Sequence, residues 1–161
     1  MEIIIKSRKV ISIISPSFNE EKNIIECYER VKKVFEIDLS EYDYEHIFSD
    51  NSSTDNTIPL LREISKKDKR VKVIINSRNY GVFPSTFNAI LSASGDALIP
   101  MLPVDLQDPP EIIPKFIRKW EDGFQVIAGN RKDREEGFFL RNIRKLYYRI
   151  ITKISNFDIP P

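Results

Sequence analysis

The chain has 161 residues, enough for one domain with a substantial core and too few for two. Hydrophobic residues at 41% and charged residues at 30% exclude a disordered chain, and a net charge of +1 excludes a global pull toward nucleic acid or an anionic membrane. Cys27, the single cysteine, excludes an internal disulfide and a thiolate-rich metal site and fits a reducing, cytoplasmic setting. No apolar run nears the ~18 residues of a membrane span, and residues 1–9 read as a short extension rather than a signal peptide.

In chain order, Val10 to Ser15 reads as a strand stopped by Pro16. Asn19 is placed to cap the next helix, with Glu20 and Glu21 in its first turn; Ile24, Ile25, Tyr28, Val31 and Phe35 form its core face. His46-Ile47-Phe48 reads as a second strand, and His46, the only histidine, as a packed rather than a catalytic residue. Thr57 to Lys67 is predicted helical with Ile58, Leu61 and Ile64 inward and Lys66 to Arg70 solvated; Val71 to Ile75 is a third strand. A helix is expected over 84–94, and Gly95-Asp96 turns the chain into the apolar run Ala97 to Leu102. Pro109 to Glu121 is predicted helical, and Gln125 to Ala128 a short strand ending at Gly129-Asn130-Arg131.

Strand alternates with helix, so the class is α/β with a mainly parallel sheet flanked by helices. Loops bind ligands beyond the carboxyl ends of such strands, and three strands end in polar loops: Pro16 to Glu20, Asp50 to Asp55, and Asp105 to Asp108. In a parallel sheet these meet at one rim, with Asn130-Arg131 as a fourth contributor. With five glycines and no G-x-G-x-x-G or G-x-x-x-x-G-K-S, a dinucleotide fold or P-loop is disfavoured. A phosphate-bearing ligand would instead be held by a hard divalent cation and arginines, a set supplied by Asp105, Gln107, Arg78 and Arg131. Each carboxylate also has a plainer reading: Asp50 as an Asx-turn or cap for its own loop, Asp105 and Asp108 as a turn capping the Pro109 helix.

Four segments, Ile14-Ser15-Pro16-Ser17-Phe18-Asn19-Glu20-Glu21, Ser49-Asp50-Asn51-Ser52-Ser53-Thr54-Asp55, Ser77-Arg78-Asn79-Tyr80-Gly81 and Asp105-Leu106-Gln107-Asp108-Pro109-Pro110-Glu111, together resemble glycosyltransferase family 2. The resemblance runs from about Val10 to the last residue and is nearest the polyprenyl-phosphate and dolichyl-phosphate sugar transferases. It implies a GT-A fold, a Rossmann-like sheet binding a nucleotide-sugar and Mg²⁺ or Mn²⁺, as one domain over 10–161 whose acceptor part is incomplete and truncated on the C-terminal side. By resemblance, Pro16, Phe18 and Glu20 form the first nucleotide loop, Asp50 contacts the base, and Asn51, Arg78 and Val104 join the nucleotide-sugar site. Asp105 matches the metal-binding second aspartate of D-x-D, Gln107 a further metal-side ligand, and Arg131 an arginine at the donor diphosphate. Asn51 stands where many members have aspartate, and Pro103 occupies the first aspartate of D-x-D, so metal affinity is expected to be weakened rather than lost.

The implied reaction is metal-assisted glycosyl transfer with inversion from a UDP- or GDP-sugar. No general base is evident, and in the family it follows soon after the position of Pro161. A phosphate-monoester acceptor, with a second pKa of about 6, is already largely dianionic at neutral pH and needs a base less than a sugar hydroxyl does. Ile143, Leu146, Tyr147, Ile150, Ile151, Ile154 and Phe157 form an apolar stripe interleaved with basic residues over Arg141 to Phe157. That stripe reads either as a helix packed on the sheet with snorkelling basic residues, the favoured reading, or as a membrane-surface helix. Glu135 to Phe139 is read as a loop over the donor site.

The expected function is therefore sugar transfer to a polyprenyl-phosphate acceptor at the inner face of the cell membrane. The alternatives are transfer to a glycan hydroxyl, or a truncated, non-catalytic nucleotide-sugar binding module. Nucleic acid is not an expected partner, and a homo-oligomer is compatible with the chain.

Overall fold

The computed structural model describes residues 8–129. Two compact units are present, Met1–Gln125 and Val126–Pro161. Of the second, residues 126–129 are described and form neither helix nor strand. The strand expected over Gln125 to Ala128 is thus not observed, since no ladder partner for it exists among the described residues.

The first unit is a parallel sheet with helical crossovers. β1 (Val10–Ser17) pairs in parallel with β2 (Asp43–Asp50) and with β4 (Ala97–Ile99), and β2 pairs in parallel with β3 (Val71–Ile75), giving the order β3-β2-β1-β4. The connections carry α1 (Ile24–Ile37), α2 (Thr57–Lys67) and α3 (Val82–Ile90). After β4 a 3₁₀ turn (Pro110–Ile112) leads into α4 (Ile113–Glu121). Parallel neighbours require such crossovers, so the strand–helix alternation of the sequence imposes this topology.

Several boundaries differ from the sequence expectation. β1 does not stop at Pro16 but runs to Ser17, with Pro16 opposite Ser49. The ladder to β4 ends at Ile13↔Ile99, so one side of β1 needs no donor at position 16 and the proline is tolerated. α1 begins at Ile24, and its N-cap is Asn23 rather than Asn19. This start rotates the helix so that Ile24, Cys27, Tyr28, Val31, Val34 and Phe35 are buried while Ile25 is exposed. The apolar run after Asp96 contributes only three residues to the sheet; Leu102 still donates its N–H to the Ile14 carbonyl at 2.8 Å. α3 starts earlier than expected, at Val82, because Gly81 adopts φ +87 at its N-cap, a left-handed turn that favours glycine.

The two central strands, β1 and β2, are buried on both faces. On one side Ile11 and Ile13 of β1 and Tyr44 of β2 pack with Val31, Phe35, Ile113 and Ile117, while Phe48 packs with Ile24, Cys27 and Leu61. On the other side Ile14 and Ile47 meet Ala89 of α3. Each such aliphatic or aromatic side chain contributes roughly 1.5–3 kcal/mol when fully buried. A polar hub closes the amino end of this second face. Glu45, 5% exposed, accepts from Ser12 Oγ at 2.6 Å, from the Ser94 N–H at 2.6 Å, and from Lys72 Nζ. Burial pushes its carboxyl up, but Lys72, Ser12 and Ser94 outweigh that and hold it at about 2. Gly95 sits against the same hub, where a Cβ would lie 2.7 Å from Ser12 Oγ and from the Val10 carbonyl.

Candidate active site

Because every strand of the sheet runs the same way, the loops after β1, β2, β3 and β4 leave from one edge. The first two are clasped together by side chain to backbone hydrogen bonds. Asn19 N–H donates to Ser53 Oγ at 2.9 Å, Glu20 N–H to Thr57 Oγ1 at 2.8 Å, and Glu21 N–H to Asp55 Oδ2 at 3.1 Å. In return Thr54 N–H donates to Asn19 Oδ1 at 2.9 Å and Asn56 N–H to Glu21 Oε2 at 2.9 Å. Asn19 holds φ +56 to do this, which explains why it does not cap α1. Phe18 is left 42% exposed at the rim, and the Glu20 carboxylate accepts from Asn23 Nδ2 at 2.7 Å.

Asp50 ends β2 with no exposed surface. It accepts from Ser17 Oγ at 3.2 Å, from the Ser53 N–H at 2.8 Å and from Ser53 Oγ at 2.5 Å. The loop-closing role that the sequence allowed is therefore realised; a carboxylate offers about four acceptor sites, so some capacity remains. Asn51, 4% exposed, uses both ends of its amide: Nδ2 donates to the Gly81 carbonyl at 3.2 Å, and Oδ1 accepts from Asn76 Nδ2 at 3.1 Å. Asn76 also donates to Ser85 Oγ at 2.9 Å, and Ser85 Oγ lies 2.8 Å from Ser49 Oγ. This polar chain ties the ends of β2 and β3 to the start of α3. Arg78 is exposed on the loop so fixed, its guanidinium 4.3 Å from the Tyr80 ring centre. The Tyr80 phenol is lowered by its hydrogen bond with Ser77 and by Arg78.

The loop after β4 alternates inward and outward. Leu102 and Val104 are buried and Leu106 packs against the cluster of Ile24, Tyr28 and Phe48, whereas Asp105 and Gln107 are exposed. Asp105 Oδ1 accepts the Gln107 N–H at 3.1 Å. Among the described residues no three His, Cys, Asp or Glu side chains gather into a protein-only metal cage. One carboxylate and one amide carbonyl do fit a hard cation that brings phosphate oxygens and water as its remaining ligands. Arg131, the segment Glu135 to Phe139 and the stripe from Arg141 to Phe157 lie outside the described residues.

Two groups with reactive side chains lie behind the rim and are not part of it. His46 is fully buried, its Nε2 2.9 Å from Ser15 Oγ, and burial pushes it down to about 3, so it stays neutral. The Cys27 thiol is pushed up to about 12 by burial, despite a hydrogen bond with Ser15. Both are packing residues, as expected for His46. Ser17, Ser53, Thr57, Asn76 and Ser85 hold the rim together and were not singled out from the sequence; only their position at strand ends and loop starts hints at it. Among the described residues no helix is long and apolar enough to cross a membrane.

The sequence matches the family model described as glycosyl transferase family 2 over residues 12–160. It is 39% identical over 150 residues to the uncharacterized glycosyltransferase YkcC of Bacillus subtilis (strain 168), covering 92% of this chain and 46% of that protein. It is 37% identical over 147 residues to the prophage bactoprenol glucosyl transferase homolog of Escherichia coli (strain K12), covering 91% and 47%. The chain thus spans about half the length of these curated relatives. Among solved structures, the mannosyltransferase PcManGT from Pyrobaculum calidifontis, in complex with GDP-Man and Mn²⁺, superposes with a TM-score of 0.55 at 19% identity. That match covers 70% of this chain and 32% of the other, and it supports the fold, which is of the GT-A type.

Proposed function

Because the chain belongs to glycosyl transferase family 2, we propose that it forms the donor-binding part of an enzyme that moves a sugar from a UDP- or GDP-sugar to a polyprenyl-phosphate acceptor at the inner face of the cell membrane. The observation that carries this reading is the convergence of Asp50, Asn51, Arg78, Asp105 and Gln107 on the loops of one parallel edge. Relatives named for bactoprenol glucosyl transfer support the choice of a lipid-phosphate acceptor.

In this reading Pro16, Phe18 and Glu20 line the base side of the donor pocket, and Asp50, which has no exposed surface, supports that side by holding Ser17 and Ser53 in place. Asn51, Arg78 and Val104 complete the nucleotide-sugar site, and the family resemblance assigns the donor diphosphate to Arg131, outside the described residues. Asp105 and Gln107 would hold Mg²⁺ or Mn²⁺. The cation, when bound, supplies positive charge to the leaving diphosphate. An acceptor phosphate attacks the anomeric carbon from the face opposite the diphosphate, with inversion, and requires no base from residues 8–129.

Titration calorimetry of the chain with UDP-glucose and GDP-mannose, with and without Mn²⁺, tests the donor site. Metal-enhanced binding of one of them is expected, and no binding of either overturns the reading. Transfer assays on the reading frame extended beyond Pro161, with polyprenyl phosphate and with free glycans as acceptors, separate the lipid reading from the glycan one. Pro103 favours a second reading, a nucleotide-sugar binding module without turnover, because it removes one of two metal carboxylates. Binding without donor turnover in the extended protein would establish that second reading.

A further inference from the structure

The loop that carries Asp105 and Gln107 contains a feature unrelated to ligand chemistry. Leu106 adopts φ +59, one of only three non-glycine residues among those described with positive φ. Asn19 and Ser52, the other two, have short polar side chains that suit this conformation, while leucine does not. A bulky residue stays there only if its surroundings over-determine it. The surroundings are visible: Leu106 packs against the cluster of Ile24, Cys27, Tyr28, Phe48, Leu61 and Val104, and its N–H donates to the Pro103 carbonyl at 3.3 Å. Buried Leu102 and Pro110 pin the loop on either side.

We propose that Leu106 is a positioning residue, an apolar anchor whose burial holds the loop in a left-handed kink and so presents the Asp105 carboxylate and the Gln107 side chain to the rim as a preformed pair of oxygen donors. This rests on the donor-site reading above. The kink brings the Gln107 N–H to Asp105 Oδ1 at 3.1 Å, which fixes that carboxylate's rotamer and leaves Oδ2 for a cation. Without the anchor the loop relaxes toward ordinary φ, and Asp105 and Gln107 must be ordered at the moment of binding.

The test is calorimetry of the 161-residue chain with UDP and GDP, each with and without Mn²⁺, on wild type, Leu106→Ala, Leu106→Gln and Leu106→Met, with thermal melts of all four. Leu106→Ala and Leu106→Gln are expected to weaken the Mn²⁺-dependent increment of nucleotide binding about 5- to 30-fold while metal-free nucleotide affinity changes less than about 2-fold. Leu106→Met, which keeps an apolar body, should restore the increment to within about 3-fold. Leu106→Gln keeps the side chain's reach but not its apolar end and has no preference for positive φ, so it keeps the test valid if the alanine variant folds poorly. Equal losses with and without metal, or an unchanged increment in folded Leu106→Gln, overturn the inference while leaving the donor site standing. No nucleotide binding by wild type overturns the donor-site reading itself, and the inference with it.

Discussion

Replacing Asn51 by aspartate tests whether this position works as a two-sided amide. The side chain is 4% exposed and donates to the Gly81 carbonyl while accepting from Asn76. A carboxylate keeps the second bond and loses the first, turning a negative oxygen toward the carbonyl it used to satisfy. It also sits next in sequence to the fully buried Asp50 carboxylate. A stranded buried acceptor costs about 1–3 kcal/mol, and a second buried charge adds to that until the new group raises its own pKa. The expected loss for Asn51→Asp at pH 7.5 is about 2–4 kcal/mol, a fall of about 5–12 °C in Tm for a chain of this size. Asn51→Ala, which adds no charge, should lose about 1–3 kcal/mol. At pH 5 the new carboxyl is increasingly protonated, regains a donor, and the gap between the two variants should close or reverse. Urea and thermal unfolding of the three proteins at both pH values measure this. Equal stability of Asn51→Asp and wild type at pH 7.5, or a gap indifferent to pH, refutes the reasoning.

Ser52 holds φ +64 outside any helix or strand; Ser52→Gly should raise stability by about 0.5–1 kcal/mol in a urea melt, the left-handed strain removed less the added chain entropy. His46 is neutral and buried with its pKa pushed down to about 3. The unfolded chain takes up a proton below about 6.5 that the folded one refuses, so stability is full above that pH and falls by about 1.4 kcal/mol per unit as pH drops toward 4.5. Chemical denaturation across that window should show the slope, and His46→Gln should flatten it. Pro103→Asp restores a second carboxylate beside Asp105, and calorimetry should show Mn²⁺ binding in the presence of nucleoside diphosphate tightened about 3- to 10-fold.

The parallel sheet and its one-edged convergence of loops were legible because strand–helix alternation leaves few other topologies, and apolar runs such as Val71 to Ile75 were bounded clearly. Phase and boundary were less legible. Where α1 starts depends on a turn closed by the Asn23 N–H to the Glu20 carbonyl at 2.9 Å, and that one choice decides that Cys27 and Val34 rather than Ile25 face the core. Pro16 looked like a strand end because nothing local reveals that the β4 ladder stops at Ile13. Asn19 looked like a cap because its partner, Thr54, is 35 residues away. The carboxylates of the rim stood out, while Ser17, Ser53 and Asn76 did not, since hydroxyls and amides acquire their roles only from contacts across the chain.

The interlocking of the first two loops has a bearing on how donor preference could be retuned. It grips the Asn19, Glu20 and Glu21 amides, groups that every residue but proline possesses, and uses no atom of the Phe18 side chain. If Phe18 meets the nucleobase as proposed, a library randomised at that position alone would remodel the contact while the supporting frame keeps its shape, a separation of scaffold from reading head that suits this family member to specificity engineering.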